Sequence, residues 1–494
     1  MPTESHQRSL DAWSRSLSVA EELVPLVGRL HREHGVVLSV HGRGLAGLSP
    51  VGLVKAHRFA RHADGDELPL DDTHALLRVL MDLDLAPGSV DVGKVLAEHR
   101  AQGGDLEAMV RRRLGDRVGG GAGERRPPRD VVVYGFGRIG RLVTRILVEH
   151  AGPAASLRLR AVVVRPGGPE DLTKRASLLR RDSVHGPFRG TITVDHEAQT
   201  ILANGTLIQV LHASDPAAVD YPAHDIDDAL VVDTTGRWRD AEGLSQHLRS
   251  PGVARVLLTA PGKGDLPNVV AGINMADVGD HPVVTAASCT TNAITPVLHV
   301  LQERFGVEHG HLETVHSFTN DQNLIDNYHR GARRGRAATL NMVIAETGAA
   351  KAVAKALPAL AGRLTGSAIR VPTPDVSLAV LALRLERPTT VEELNDLLRR
   401  TSLHGPLRRQ VGYISSPEVV STDFLGSQQA GVVDGLATLA DGRDVVLYVW
   451  YDNEYGYSHQ VVRVLEEMAR PTTTAPSGAD PEPVREPDLA GTSA

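Results

Sequence analysis

A single cysteine, Cys289, occurs among the 494 residues of the chain. No intramolecular disulfide is possible, and a cysteine-based zinc site is excluded. Cys289 lies in Ala287-Ser288-Cys289-Thr290-Thr291-Asn292, ahead of an apolar run that predicts a helix over Ile294 to Leu301, with Pro296 in an early helical turn. A thiol at a helix N-terminus faces the positive end of the helix dipole and free N–H groups, which favour the nucleophilic thiolate. Small hydroxyl and amide neighbours leave space and hydrogen bonds for a substrate. A lone cysteine is nonetheless more often a buried filler than a nucleophile. His316 follows in Thr314-Val315-His316-Ser317-Phe318-Thr319-Asn320-Asp321-Gln322. A histidine beside a thiolate can form an ion pair and serve as base, then acid. With 22 histidines in the chain, spacing alone favours an ordinary core or surface histidine.

A second chemical signal is Gly135-Phe136-Gly137-Arg138-Ile139-Gly140, a G-x-G-x-x-G that follows the apolar run Asp130 to Tyr134 and opens a helical segment, Ile139 to His150. In that context the first glycine permits the tight turn and the second lets backbone approach a pyrophosphate. The third lets helix and strand pack closely, and the helix N-terminus faces the anion. Dinucleotide binders that prefer NAD carry an acidic residue about twenty positions on. Here the second strand ends Val162-Val163-Val164-Arg165-Pro166. Arg165 stands where the carboxylate is expected and suits a 2′-phosphate, so NADP is expected to be accepted or preferred over NAD. The alternative is that Glu170 or Asp171 folds back and restores NAD preference.

These groups need a scaffold, and the composition supplies one. Apolar residues make up 41% and charged residues 23%, the balance of a globular protein, with a core resting on Val, Leu, Ala and Ile because aromatics are only 3%. The net charge of -7 gives no global pull toward nucleic acid or membrane. The N-terminus lacks an apolar signal core, and no run of 18 apolar residues is present. The expected compartment is the cytoplasm. No His-Glu-x-x-His pair or similar spacing is found, so no metal site is expected.

Residues 1–118 read as a mainly helical extension, with helical spacing over Leu17 to His31, a short strand at Val36 to Val40, and helices at Thr73 to Asp84, Asp91 to His99 and Asp105 to Arg113. A basic face from His57, Arg58, Arg61 and His62 reads first as a solvated helix face, with an anion or neighbouring subunit as the alternative. The glycine-rich stretch 119–128 reads as a flexible linker. From 129 onward short apolar runs alternate with helical segments, the pattern of a doubly wound parallel sheet. The stretch 471–494, rich in Pro, Thr, Gly and acidic residues, reads as a disordered tail.

The residues then resemble a family. Ala287 to Pro296 is similar to the active-site signature of phosphorylating glyceraldehyde-3-phosphate dehydrogenases. Tyr134 to Arg141, Asp182 to Gly186, Thr347 to Val353 and Trp450 to Tyr457 resemble further motifs of that family, in the same order and at similar spacing. The similarity covers about residues 129 to 470, and the extension is extra to it. The resemblance implies a Rossmann-type dinucleotide domain over 129–288, completed by a last helix at 453–470. It also implies an α+β catalytic domain over 289–452 and a homotetramer. It implies that Cys289 attacks the aldehyde of glyceraldehyde 3-phosphate, that His316 acts as base, and that inorganic phosphate releases the thioester as an acyl phosphate. Ser288, Thr290, Thr347 and Gly348 match the family's inorganic-phosphate site. Thr319, Asp321 and Arg370 match the site for the substrate's own phosphate, where the carboxylate of Asp321 is the awkward member. Asn453 matches the residue that holds the nicotinamide carboxamide. Thr235, Gly236 and Thr259 lie in loops lining the dinucleotide cleft.

Some positions depart from the family. Glu346 stands before Thr347 where Ser or Thr is common. Ala293 replaces a frequent second cysteine, and Ile325-Asp326-Asn327-Tyr328 lacks the Leu-Pro pair of many NAD-dependent members, in line with NADP use. An NADP bias would suggest an anabolic, gluconeogenic direction. Two other readings stay open: an erythrose-4-phosphate dehydrogenase, which hydrolyses its thioester and against which Thr319 argues, and a non-catalytic scaffold, against which the retained Cys289, His316, Arg370 and Asn453 argue.

Overall fold

The computed structural model describes residues 4–118 and 127–470. The expected linker, apart from Pro127 and Pro128, and the expected 471–494 tail lie outside the described residues.

The dinucleotide half is built on an eight-stranded sheet. Its central strand, Arg129–Tyr134, reads Val-Val-Val at its centre, and all three valines are fully buried, as a strand covered on both faces requires. It pairs in parallel with Leu157–Val164 on one side and Ala229–Asp233 on the other. The chain therefore leaves this strand in one direction and returns on the other side, which opens a crevice at the strands' C-terminal ends, the usual seat of a ligand in such sheets. Thr206–His212 extends the parallel run next to Leu157–Val164, and two short antiparallel strands, Thr200–Ala203 and Ile192–Asp195, close that edge.

The second half is a mixed sheet. Strand Val307–Ser317 runs parallel to Leu364–Val371 and antiparallel to Ser377–Leu385, and the parallel register sets His316 opposite Arg370. Helix Cys289–Phe305 lies on this sheet through Ile294, Val297, Leu298 and Leu301, packed with Leu381 and Leu447 in one buried cluster. This helix begins at Cys289, earlier than the pattern from Ile294 suggested. Pro296 consequently falls within the helix and not in its first turn, where its missing N–H leaves the Asn292 carbonyl without the usual partner. The last helix, Tyr455–Met468, crosses back to the dinucleotide half and packs on helix Arg138–Glu149, burying Val461, Val464, Leu465 and Met468 with Val143 and Ile146.

The N-terminal segment has its own core, in which Leu23, Leu30, Leu38, Leu53, Leu76 and Leu80 are buried together. It is mainly helical as expected, around a small sheet the sequence only half revealed: Val36–Val40 pairs in parallel with Gly88–Asp91 and antiparallel with Arg43–Gly44. Arg58, Arg61 and His62 are exposed, as a solvated helix face requires, and only His57 leaves it. His57 is buried and bonds Leu53 O and Thr73 Oγ1, while Arg58 and Arg61 sit near Glu67. The segment touches both halves, through His31 beside Gly152 and Gly42 beside Arg408. Among the described residues no helix is long and apolar enough to cross a membrane.

Candidate active site

The G-x-G-x-x-G loop sits at the mouth of the crevice. Gly135 has φ +98, a conformation side chains resist, and a Cβ there would press on Thr234 Oγ1. Gly137 is the N-cap of helix Arg138–Glu149 and has open space where its side chain would be. Phe136 and Ile139 point into the core beneath the loop. A Cβ on Gly140 would overlap the Gly135 carbonyl oxygen. Gly140→Ala should therefore push helix and turn apart and weaken dinucleotide binding by at least about tenfold, as read by fluorescence titration; an unchanged Kd would show that this turn does not cradle the cofactor.

Across the crevice Thr234 Oγ1 donates to Tyr134 O and Gly135 O. Thr235 donates its N–H and hydroxyl to Asp233 Oδ1, Gly236 has φ +62, and Thr259 donates N–H and hydroxyl to Asp233 O. These hydroxyls fix the walls of the crevice. The open backbone at Gly137, the left-handed turn at Gly135 and the free helix N-terminus fit a pyrophosphate.

The Arg138 guanidinium pairs with Asp182, at 2.5 Å, and with Glu454. Its side chain thus ties the loop to the last helix, because two carboxylates from distant segments satisfy a half-buried charge better than solvent does. Arg165 is exposed at the strand end. Asp171 does fold back under Gly167, but its Oδ2 accepts from Arg175 Nε at 2.6 Å and lies 3.5 Å from His212 Nε2. Pro166, Gly168, Leu172, Gln199 and His212 line a cavity of about 460 Å³ beside it. Glu170 is exposed and caps nothing with its side chain.

Cys289 is the first residue of its helix, and the turn before it is strained: Ala287 has φ +54, with its carbonyl held by the Tyr457 hydroxyl at 2.9 Å. Ser288 caps the helix, its Oγ accepting from Thr291 N at 3.0 Å. Thr290 Oγ1 lies 3.0 Å from the Tyr451 hydroxyl. The sulfur is 3.5 Å from His316 Nε2. On the far side of the ring Nδ1 lies 2.8 Å from Ser317 O and 2.7 Å from Arg370 NH1, so an acceptor and a donor compete for the same nitrogen and the tautomer follows whichever contact dominates.

Burial pushes the Cys289 thiol up, although Arg370 and Thr290 pull it down. Burial, then the Arg370 charge, pushes His316 down to about 3. Arg370 NH1 stands 2.7 Å from His316 Nδ1 and donates to Ser317 O at 3.0 Å. Burial at both groups thus opposes the charged pair that the helix N-terminus favours, and Arg370 acts on both, down on the thiol and down on the imidazole.

Of the residues expected to bind the substrate's own phosphate, Arg370 contacts His316 and Asp321 acts on it electrostatically. Thr319 donates its hydroxyl to Asp321, and Asp321 is in turn paired with Arg334. Against its partial burial, Thr319, Arg334 and Arg370 hold Asp321 in its ionised form. That resolves the awkward carboxylate, since its charge is met by arginine. Arg334 is a site neighbour that the sequence reading missed, though the cluster Arg330, Arg333, Arg334 and Arg336 was its signal. Thr347 Oγ1 accepts from Ala349 N at 3.2 Å, and Gly348 is the N-cap of helix Ala349–Ala356. Glu346 is exposed. Asn453 Oδ1 accepts from Ser317 Oγ at 2.9 Å and Ser377 Oγ at 2.7 Å, so its amide is held next to the His316 strand.

Comparison with known proteins gives the same outline. Residues 129–241 match the family profile described as glyceraldehyde 3-phosphate dehydrogenase, NAD binding domain, and residues 288–453 match its C-terminal domain. A glyceraldehyde-3-phosphate dehydrogenase-like protein of Pseudomonas aeruginosa (strain UCBPP-PA14) is 58% identical over 90% of this chain and 98% of its own length. That coverage reaches well into the N-terminal segment. The glyceraldehyde-3-phosphate dehydrogenases of Zymomonas mobilis and of Pseudomonas aeruginosa PAO1 are each 40% identical, over 69% and 67% of this chain and 98% and 96% of their own lengths.

Proposed function

The chain belongs to the glyceraldehyde 3-phosphate dehydrogenase family, whose members oxidise glyceraldehyde 3-phosphate with NAD(P), and from that premise we propose the roles of its residues, its cofactor preference and its assembly. The observation that carries the mechanism is the 3.5 Å approach of Cys289 Sγ to an imidazole nitrogen whose ring is held by Ser317 O.

In this reading Cys289 adds to the aldehyde carbon, its proton passing to His316 Nε2 and on to the carbonyl oxygen, which gives a hemithioacetal. A bound nicotinamide supplies the hydride acceptor. His316 then takes the hydroxyl proton as the hydride leaves the same carbon, and a thioester on Cys289 results. Inorganic phosphate, held by Ser288, Thr290, Thr347 and Gly348, attacks the thioester carbonyl. The C–S bond breaks, the acyl phosphate departs and the sulfur recovers its proton. Thr319, Arg370 and the Asp321–Arg334 pair orient the substrate's own phosphate, and the Asn453 amide orients the nicotinamide carboxamide. Reduced-nicotinamide absorbance with glyceraldehyde 3-phosphate should rise only when inorganic phosphate is present. Turnover unchanged without phosphate would replace phosphorolysis by hydrolysis, the erythrose-4-phosphate type of chemistry.

We propose NADP as the preferred cofactor. Arg165 is exposed at the strand end, and the fold-back carboxylate of Asp171 is already met by Arg175 and His212, so the anionic group that would select the ribose hydroxyls is neutralised. Arg165→Asp should lower kcat/KM for NADP relative to NAD by about tenfold or more, equivalent to ~1.4 kcal/mol. A wild-type enzyme that favours NAD by that margin would sink the proposal.

The proposed assembly is a homotetramer. Leu324, Ile325, Tyr328, Leu340, Met342 and Ile344 are all exposed within one stretch of 21 residues (324–344), with Tyr328 at 91%, more apolar surface than a monomer usually leaves in water. Light scattering on the eluted protein gives the mass directly, and a monomer would overturn this assembly.

A further inference from the structure

Between the two halves and the last helix lies a buried seam that the proposed mechanism does not use. His185 comes from the dinucleotide half, Asp375 from the turn ahead of strand Ser377–Leu385, and Asp452 from the entry to the last helix. Both carboxylates approach the same imidazole nitrogen: Asp375 Oδ2 and Asp452 Oδ2 are each 3.0 Å from His185 Nε2. The side chains of both acids are fully buried.

The two acids compete for the single Nε2–H; Asp452 Oδ2 also accepts from Gly426 N at 2.8 Å, while Asp375 Oδ2 has no polar neighbour besides that nitrogen. Asp375 is aimed inward by design of the backbone. Its Oδ1 accepts from Val376 N at 2.8 Å, and Val376, a β-branched residue, is held at φ +62. Arg138, Asp182 and Glu454 also face the seam, and Arg141 and Arg145 add positive charge beside Asp182. The arginines lie on the Asp182 and Glu454 side, whereas Asp375 and Asp452 share a single imidazole nitrogen, so the positive charge is not evenly placed along the seam.

We propose that Asp375 is a protonated carboxylic acid on the acid side of neutrality, beside Asp452 in the seam, and in that form acts as a neutral positioning residue for the catalytic centre. A buried carboxylate oxygen that must share its one polar neighbour with a second carboxylate is costly as an anion and less so when protonated. The link to the reaction is short in the chain. Ser377, two residues on, holds Asn453, one residue after Asp452, and also accepts from Ser317 N beside His316. An ionised Asp375 would in addition oppose ionisation of Cys289. The charge environment agrees: burial, together with the charges of Asp452 and Glu454, pushes the Asp375 carboxyl up to about 7. Despite burial, Asp452 is held down by His185 and by the N–H groups of Gly426 and Tyr455.

The test compares wild type with Asp375→Asn, which imitates the protonated acid, in the full-length enzyme. A carboxyl whose folded-state pKa lies above its unfolded one contributes stability fully below the ordinary carboxylate range and loses it as pH rises to about 7, with no further change above. The wild-type Tm should therefore fall relative to the variant between about pH 4 and about pH 7, then run parallel to it. Because Cys289 is the only cysteine, iodoacetamide reports on it alone. Alkylation should be equal in the two proteins at about pH 6 and several-fold faster in the variant at about pH 8.5. The infrared band of a buried carboxylic acid should be present in wild type at about pH 6 and absent in the variant. This last reading decides the matter on wild type alone if the variant does not fold. A Tm difference independent of pH, or no acid band, would show an ionised Asp375 and overturn the proposal. So would a divalent cation found at one per chain in the purified enzyme and lost on substitution, since a cation would then fill the seam in place of the proton.

Discussion

Cys289→Ala should remove phosphate-dependent oxidation of glyceraldehyde 3-phosphate by at least about 10⁴-fold in kcat/KM, roughly 5.5 kcal/mol of transition-state stabilisation, while the protein still folds and still binds its dinucleotide. The size of the loss follows from what the sulfur is asked to do. It makes the bond that holds the aldehyde for hydride loss, and it is the leaving group when phosphate attacks, so both halves of the reaction lose their path together. No other thiol in the chain can substitute. The fold should tolerate the change because Cys289 is only partly buried against the two cores, and truncating it deletes one atom's contacts. The dinucleotide should still bind because its cradle, Gly135 to Gly140 with Thr234 to Gly236, is anchored by Asp233 and Tyr134 and not by the thiol. Steady-state rates, a thermal melt and a cofactor titration on the same preparation separate the three statements. A variant that kept more than about one per cent of wild-type turnover would mean that the oxidation does not run through a covalent adduct.

The chemistry was readable in the sequence wherever it depends on a few adjacent residues. A glycine loop between a strand and a helix has one workable geometry, and Gly135 and Gly140 adopt the close packing their lack of side chains permits. Ser288-Cys289-Thr290 likewise encodes its own cap, with Ser288 Oγ on Thr291 N. What local pattern could not show is what distant segments bring. Arg138 reads as part of the cofactor loop, but its partner Glu454 is 316 residues away. His185 and Asp452, which meet at 3.0 Å, are 267 apart. The same limit explains the thiol. The helix N-terminus is visible in the sequence and favours thiolate, whereas the burial that opposes it comes from His316, Tyr451 and Tyr457, none of them near Cys289 in the chain. The parallel partner of Val36–Val40, at Gly88–Asp91, was hidden for a related reason: a four-residue strand with one buried side chain has almost no periodicity to read.

His316→Asn should lower kcat by about 10² to 10⁴-fold, some 3 to 5 kcal/mol, and should also change how the protein responds to acid. The kinetic effect arises because, among the described residues, the imidazole is the base hydrogen-bonded to the sulfur: Nε2 is 3.5 Å from Sγ, and Arg370 on the other side carries a fixed positive charge and cannot accept a proton. Burial and that arginine hold His316 neutral down to about pH 3. The base is thus unprotonated throughout the working range, and activity on the acid side should not be limited by its titration in the free enzyme. The stability effect follows from the same depression. In the unfolded chain this histidine takes a proton near pH 6.5, while in the folded protein it cannot until about pH 3. Its contribution is therefore fully present above about 6.5 and is lost as pH falls toward about 3. Asparagine lacks the titration, so the wild-type Tm should decline relative to the variant across that interval and run parallel to it above. The two readouts distinguish roles that activity alone would merge. A variant with lost turnover and a pH-independent Tm difference would place a charged histidine in the folded site, restoring the thiolate–imidazolium pair. A variant with the predicted Tm behaviour and full turnover would leave His316 buried and neutral but move the base elsewhere.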